Sequence, residues 1–212
     1  MKEVVLLSPA ALEGTLCVPA IEVTAAADSI DFIGFDALII TSKTTINVVN
    51  QLNSGWKKLK IFTIGAKTSE EVKRLGGSVF FESSAARGEV LAQEIAKEFG
   101  HLSFLYPKAR KTAADLEQTL RSAGVRVSAQ VVYETRCAKI NAAFLPQEAV
   151  IVFTSPSTAK CFLNQIEWQS GFTAVAIGVT TAEALEKRGV KAVISPAPSL
   201  EEAVLLARKL SL

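Results

Sequence analysis

Eight short, mostly apolar runs punctuate the chain: Val4–Leu7, Ala37–Ile40, Lys60–Ile64, Ser78–Phe81, Leu102–Tyr106, Ala149–Phe153, Thr173–Ile177 and Lys191–Ile194. They are continuous rather than alternating. That is the pattern of strands buried on both faces of a parallel sheet. Between them the apolar positions change period. Ala159, Phe162, Leu163 and Ile166 fall at i, i+3, i+4 and i+7, and Leu200, Ala203, Val204 and Ala207 repeat that spacing. Leu91, Ile95 and Phe99 fall at i, i+4 and i+8. Each set is one apolar stripe of a helix facing a sheet. Gly76, Gly100, Gly124 and Gly189 follow helical stretches, where a left-handed closing residue is expected. Strand–helix alternation of this kind predicts doubly wound α/β architecture.

The pattern also repeats. Thr41-Ser42 closes one apolar run and Thr154-Ser155 closes another, 113 positions on (154 minus 41). Ile64-Gly65 and Thr68 return at the same offset as Ile177-Gly178 and Thr181, and Gly76 returns as Gly189. One α/β unit thus occurs twice, and a chain of 212 residues has room for two. The first copy has four strands, whereas the second has three before the chain ends. The N-terminal strand is the spare element, so it is expected to complete the C-terminal sheet. This gives one lobe from residues 1–15 and 138–212, another from 28–124, and connecting segments at 16–27 and 125–137. Both connectors alternate or run β-branched, so they are expected to pair as a narrow two-stranded antiparallel ladder that permits hinge motion, with Pro19 on an outward edge.

Ligands of parallel α/β sheets bind beyond the carboxyl ends of the strands. The residues expected there include Thr41, Ser42, Lys43, Gly65, Lys67, Thr68, Tyr106 and Lys108, with Thr154, Ser155, Ser157, Gly178, Thr180 and Thr181 in the other lobe. Ser42, Thr68, Ser155 and Thr180 each precede a helical stretch, so singly they read as helix caps. Collectively, helix N-termini aimed into one cleft attract carboxylates or phosphates. No Walker loop or G-x-G-x-x-G turn is present, which favours a polycarboxylate over a nucleotide. Glu82 and Asp36 are the nearest carboxylates, and they are unpaired, against a two-carboxylate hydrolase or a magnesium site. Tyr133, beside the connector, either covers the ladder or reaches the cleft to donate a proton.

Composition narrows the partners. The net charge is +2, with no basic run longer than Lys57-Lys58, so neither nucleic acid nor a membrane surface is an expected partner. No apolar segment approaches the ~20 residues that span a bilayer, and the N-terminus reads as a strand rather than a signal peptide. A soluble, cytoplasmic protein is expected. Cys17, Cys137 and Cys161 are widely spaced and odd in number, and are read as reduced, partly buried thiols. His101, the one histidine, sits at the strand end away from the cleft, which leaves no Ser-His-Asp triad or His-rich metal site.

Three segments carry a family resemblance: Phe153-Thr154-Ser155-Pro156-Ser157, the Ala176-Ile177-Gly178-x-Thr180-Thr181-Ala182 element, and Val131-Val132-Tyr133-Glu134-Thr135. Together with Thr41-Ser42 and Ile64-Gly65-x-x-Thr68, they resemble the uroporphyrinogen-III synthase family over essentially the whole chain. The resemblance implies two flavodoxin-like lobes joined by a two-stranded ladder, and a monomeric, cofactor-free lyase of porphyrin and heme biosynthesis. It implies hydroxymethylbilane as substrate, a linear tetrapyrrole polycarboxylate. The enzyme removes the terminal hydroxyl, inverts the last pyrrole ring through a spiro intermediate and closes the macrocycle. By resemblance Tyr133 is the proton donor, Thr180 and Thr181 line the cleft, and Thr41, Ser42, Thr154, Ser155 and Ser157 are its strand-end hydroxyls. Two departures stand out. Ser8-Pro9 replaces an arginine common after the first strand, leaving Lys43, Lys67, Lys108 or Arg136 to meet substrate carboxylates, and Val179 replaces the proline before Thr-Thr. The alternatives are a two-lobed protein that binds a small anion without chemistry, and a catalytically dead paralogue.

Overall fold

The apolar runs form parallel strands because both of their faces are covered. In a computed structural model describing residues 2–9, 11–112 and 115–212, the chain divides into two units, Met1–Glu22 with Arg136–Leu212, and Val23–Thr135. The strands, numbered along the chain, are β1 (Glu3–Leu6), β2 (Leu16–Cys17), β3 (Ile21–Ala25), β4 (Ala37–Ile40), β5 (Lys60–Thr63), β6 (Val79–Glu82), β7 (Ser103–Ala109), β8 (Arg126–Cys137), β9 (Ala149–Phe153), β10 (Phe172–Ala176) and β11 (Ala192–Ile194). The helices among the described residues are α1 (Lys43–Leu52), α2 (Ala66–Arg74), α3 (Gly88–Glu98), α4 (Leu116–Ser122), α5 (Pro156–Leu163), α6 (Val179–Glu186) and α7 (Leu200–Leu210). The expected mixed α/β class with parallel sheets is therefore the observed one.

In the first unit the sheet order is β11-β10-β9-β1-β2, parallel throughout. The N-terminal strand β1 lies beside β9, with Val4 opposite Val150 and Leu6 opposite Val152. Alternate residues point to opposite sides. Val5, Leu7, Ile151 and Phe153 pack with Ala159, Phe162 and Leu185 under α5 and α6. Val4, Leu6, Val150 and Val152 pack with Ala203, Val204 and Ala207 of α7. This two-sided cover explains why the strands read as unbroken apolar runs.

The second unit has the order β3-β8-β7-β4-β5-β6. Its strands from β8 to β6 pair in parallel. Ala37 and Ile39 of β4 join Phe62, Leu91, Ile95 and Phe104 on one side, and Leu38 and Ile40 join Ile46, Val49, Trp56 and Ile61 on the other. Phe62 anchors the first cluster edge-on to Phe99 and Phe104, each with ring centroids 5.0 Å away. Close approach dictates Gly77: a Cβ there would stand 2.3 Å from the ring of Trp56, which is fully buried.

Four details differ from the sequence reading. The connectors are not an isolated ribbon. The first half of β8 pairs with β7, and burial of Val127, Val132 and Tyr133 draws it into the unit's core. On its other side Ala26 N–H donates to Val132 O at 3.0 Å and Thr24 Oγ1 to Glu134 O at 3.4 Å, an antiparallel register for β3. Leu16–Cys17 is no connector but an edge strand parallel to β1, and Pro19 is exposed in the short link that follows to β3. Gly76, Gly124 and Gly189 take the left-handed conformation, whereas Gly100 does not. Finally, Cys137 and Cys161 are joined in a disulfide, not held as thiols. The end of β8 and helix α5 bring their Cα atoms to 5.2 Å, a proximity that a separation of 24 residues does not reveal.

Candidate functional site

The offset seen in the sequence is reproduced by the helix starts. Ser42 caps α1, its Oγ accepting the Thr45 N–H at 3.0 Å, and Ser155 caps α5, accepting the Thr158 N–H at 3.1 Å. Gly65 and Gly178 cap α2 and α6 without any side-chain hydrogen bond. Thr68 and Thr180 are thus not caps but lie inside the first turns. The glycine before each helix supplies the extended cap residue instead, and it leaves first-turn N–H donors without a side-chain partner.

In the second unit a cavity of about 440 Å³ opens at the carboxyl ends of β4, β5 and β7. Thr41 and Ser42 enter it from the end of β4, and Tyr106 from β7. Tyr133 enters from β8, and Arg87, Lys111 and Thr112 stand on the loops around it. The cavity holds both tyrosines of the chain. Both are buried, Tyr106 at 3% and Tyr133 at 7% exposure. The Tyr133 hydroxyl lies 3.3 Å from Ser42 Oγ, which also contacts Thr45 Oγ1 at 2.8 Å. Burial pushes the Tyr106 phenol above its ordinary pKa. The neighbouring Thr41 hydroxyl and the nearby Lys108 ammonium pull it partly back. Tyr106 therefore stays a neutral O–H donor.

Of the residues singled out from sequence, Thr41, Ser42 and Tyr133 meet in this cavity. Lys108 stands beside it, paired with Glu117 at 2.8 Å and 5.9 Å from the centre of the Tyr106 ring. Lys43 is exposed on α1, in a neighbouring groove with Asn47 and Gln51. Gly65 starts α2, and Thr68 is buried one turn in. The remaining candidates belong to the first unit. Thr154 donates to Leu7 O at 3.1 Å, and Ser155 shares a reciprocal capping box with Thr158. Ser157 and Thr180 are exposed, Gly178 is half-buried, and Thr181 is buried. Tyr106 is one of the expected strand-end residues without a role of its own, and Arg87, Lys111 and Thr112 are additions from the structure. Tyr106 closes an apolar run, the one signal that could have singled it out; the other three lie on loops that carry no periodic signal.

Among the described residues no group of three or more His, Cys, Asp or Glu is placed to hold a metal ion, and no helix is long and apolar enough to cross a membrane. The cavity lining supplies phenols, hydroxyls, the cations of Arg87 and Lys111 and the carboxylate of Glu89, which between them can donate hydrogen bonds, donate a proton and bind an anion.

The family model described as uroporphyrinogen-III synthase HemD matches residues 13–204. A protein of Oryza sativa subsp. japonica named "Uroporphyrinogen-III synthase, chloroplastic" is 30% identical over 182 residues, covering 76% of this chain and 59% of its own length. "Porphyrin biosynthesis protein HemD" of Ruminiclostridium josui is 28% identical over 184 residues, covering 79% of this chain and 36% of its own length. The chain thus spans only about half the length of the curated relatives it matches. The crystal structure of uroporphyrinogen-III synthetase from Helicobacter pylori 26695 superimposes with a TM-score of 0.83 at 25% identity, covering 99% of this chain and 100% of that one. From the length of the family match and the shared fold, this chain belongs to the uroporphyrinogen-III synthase HemD family.

Proposed function

We propose that this chain is a uroporphyrinogen-III synthase, a lyase that cyclises hydroxymethylbilane with inversion of the terminal pyrrole ring and loss of water. The observation that carries the reading is the buried Tyr133 phenol, held by Ser42 at the mouth of a strand-end cavity in a chain of this family. Family membership supports this reading over a non-catalytic small-anion binding protein.

The chemistry asks for little covalent work. Protonation of the hydroxymethyl oxygen lets the C–O bond break. Water leaves, and the pyrrole nitrogen's lone pair delocalises the resulting cation. Tyr133 supplies that proton. The cation is attacked by the far end of the same molecule. Rearrangement through the spiro intermediate then forms the closing C–C bond, and the ring carbon releases the proton that restores the phenol. Uncatalysed closure gives the uninverted isomer, so the protein's main task is to hold the two ends in one geometry. Thr41, Ser42, Lys43, Gly65 and Lys108, and in the first unit Ser155, Ser157, Gly178 and Thr180, serve in this proposal as donors to substrate carboxylates, whereas Thr68 and Thr181 are buried and the Thr154 hydroxyl is taken by Leu7 O. Arg87 and Lys111 add charge at the cavity rim.

The reading is tested by mixing the protein with enzymically generated hydroxymethylbilane, oxidising the products and separating the isomers. Type III product above an enzyme-free control is expected, and type I product alone would defeat the proposal. A monomeric state and a cytoplasmic location belong to the same proposal. Sedimentation equilibrium and cell fractionation check them.

A further inference from the structure

Thr41 and Ser42 are consecutive, and each stands beside a different tyrosine. Thr41 and Tyr106 line the same cavity, and Ser42 Oγ stands 3.3 Å from the Tyr133 hydroxyl. The chain has only these two tyrosines, one on β7 and the other on β8, packed into cores on opposite sides of the same sheet. Their rings come from different sides, but both line one cavity at the strand ends. A phenol buried to this degree for packing alone needs no partner at the cavity wall, and phenylalanine would fill the same space without the cost of burying a hydroxyl. A second buried phenol on the same cavity makes the arrangement a pair.

We propose that Tyr106 is a second phenolic donor to the tetrapyrrole that Tyr133 serves, so that two buried O–H groups serve one cavity. This rests on the reading given under Proposed function. The Tyr106 phenol, kept neutral by burial, has its proton to offer the ligand. When Ser42 Oγ accepts from the Thr45 N–H and from Thr45 Oγ1, its own proton points at Tyr133 Oη, freeing the Tyr133 proton. One phenol can then protonate the departing hydroxyl while the other holds an oxygen of the same ring. The C–O bond breaks, the phenolic proton leaves in the water formed, and the proton lost from carbon on ring closure returns to the phenolate. No oxidant or further reactant is needed.

Two tyrosines make the test direct. The protein is labelled with tyrosine carrying 13C at the ζ carbon, and each of the two signals is assigned by its own Phe substitution. Uroporphyrinogen III, kept anaerobic, is the probe. The proposal expects both signals to move on saturation. It also expects Tyr106→Phe to lower kcat about tenfold with the melting temperature retained, and Tyr106→Phe/Tyr133→Phe to fall below either single variant. A Tyr106 signal that stays in place while that of Tyr133 moves would overturn the role of Tyr106 and leave the synthase reading standing. So would a kcat for Tyr106→Phe within about twofold of the parent. If the Tyr106 signal moves but the unmodified protein makes only type I product, the synthase reading fails and the ligand contact survives. If neither signal moves, the proposal falls.

Discussion

Replacing Tyr133 with phenylalanine separates chemistry from stability. The substitution keeps the ring, which is buried at 7% exposure among Leu38, Ile40, Leu105 and Val132. It removes one hydroxyl whose contact to Ser42 Oγ is long, at 3.3 Å. Ser42 keeps the Thr45 N–H at 3.0 Å and Thr45 Oγ1 at 2.8 Å, so no buried polar atom is orphaned. The loss of folding free energy should therefore stay below about 1 kcal/mol, a fall in melting temperature of no more than about 5 °C. Loss of a proton donor acts on the barrier instead. General acids contribute about a hundredfold or more, so kcat should drop about a hundredfold, equivalent to about 2.7 kcal/mol of transition-state free energy. Ser42→Ala would be a poorer probe, because it also removes a helix cap worth about 1 kcal/mol. The assay is steady-state conversion of hydroxymethylbilane to type III product, with circular dichroism melting on the same preparation. A Tyr133→Phe variant with kcat within about threefold of the parent would remove the phenol from the mechanism. A loss of activity tracking a collapse in melting temperature would make the residue a packing element and refute the reasoning equally.

Further outcomes follow from the fold. Reducing the Cys137–Cys161 disulfide, which closes a loop of sequence separation 24, should cost about 3 kcal/mol of stability. Reduced parent and oxidised Cys137→Ser should then melt together in denaturant titrations, and an unchanged midpoint under reductant would speak against the crosslink. Gly77→Ala would force a Cβ to 2.3 Å from the buried Trp56 ring and should destabilise by about 2 kcal/mol. Intrinsic tryptophan fluorescence during urea unfolding checks this. Hydrogen bonds from Arg74 and then Asn47 hold Glu71 at a pKa of about 2, below its ordinary 4.5. The pair therefore adds stability above about pH 4.5 and loses it as the pH falls through 2. Arg74 is 63% exposed, so solvent screening keeps the effect small. Glu71→Gln should flatten the acid limb of a melting-temperature profile over that interval, and an unchanged limb would show the pair to be idle.

The strands were legible because their buried stretches are nearly continuous apolar runs, and β4 and β9 are apolar at every position. Ala37–Ile40 and Ala149–Phe153 coincide with β4 and β9 to the residue. The Ser42 and Ser155 caps were legible from the same repeat, since a serine after a strand and before an apolar stripe has one common use. Three features were not. The positions of Thr68 and Thr180 within their helices depended on glycine serving as the cap, which side-chain chemistry does not announce. The Cys137–Cys161 pairing depended on where the end of β8 meets α5, a long-range contact with no local signature. Tyr106 was visible at a strand end but could not be separated from a core aromatic. What distinguishes it is the Thr41 hydroxyl beside it and the cavity it shares with Tyr133. Arg87 and Lys111 lie on loops, where charge is the default, so only their placement at the cavity rim sets them apart.

A single-turnover experiment reaches the functional claim most directly. With the protein in excess over freshly generated hydroxymethylbilane, the oxidised product is separated into isomers and its type III share plotted against protein concentration. That share should rise from the enzyme-free level until the type III isomer is nearly the sole product. A share that stays at the enzyme-free level at every concentration would contradict the assignment of this chain as a synthase.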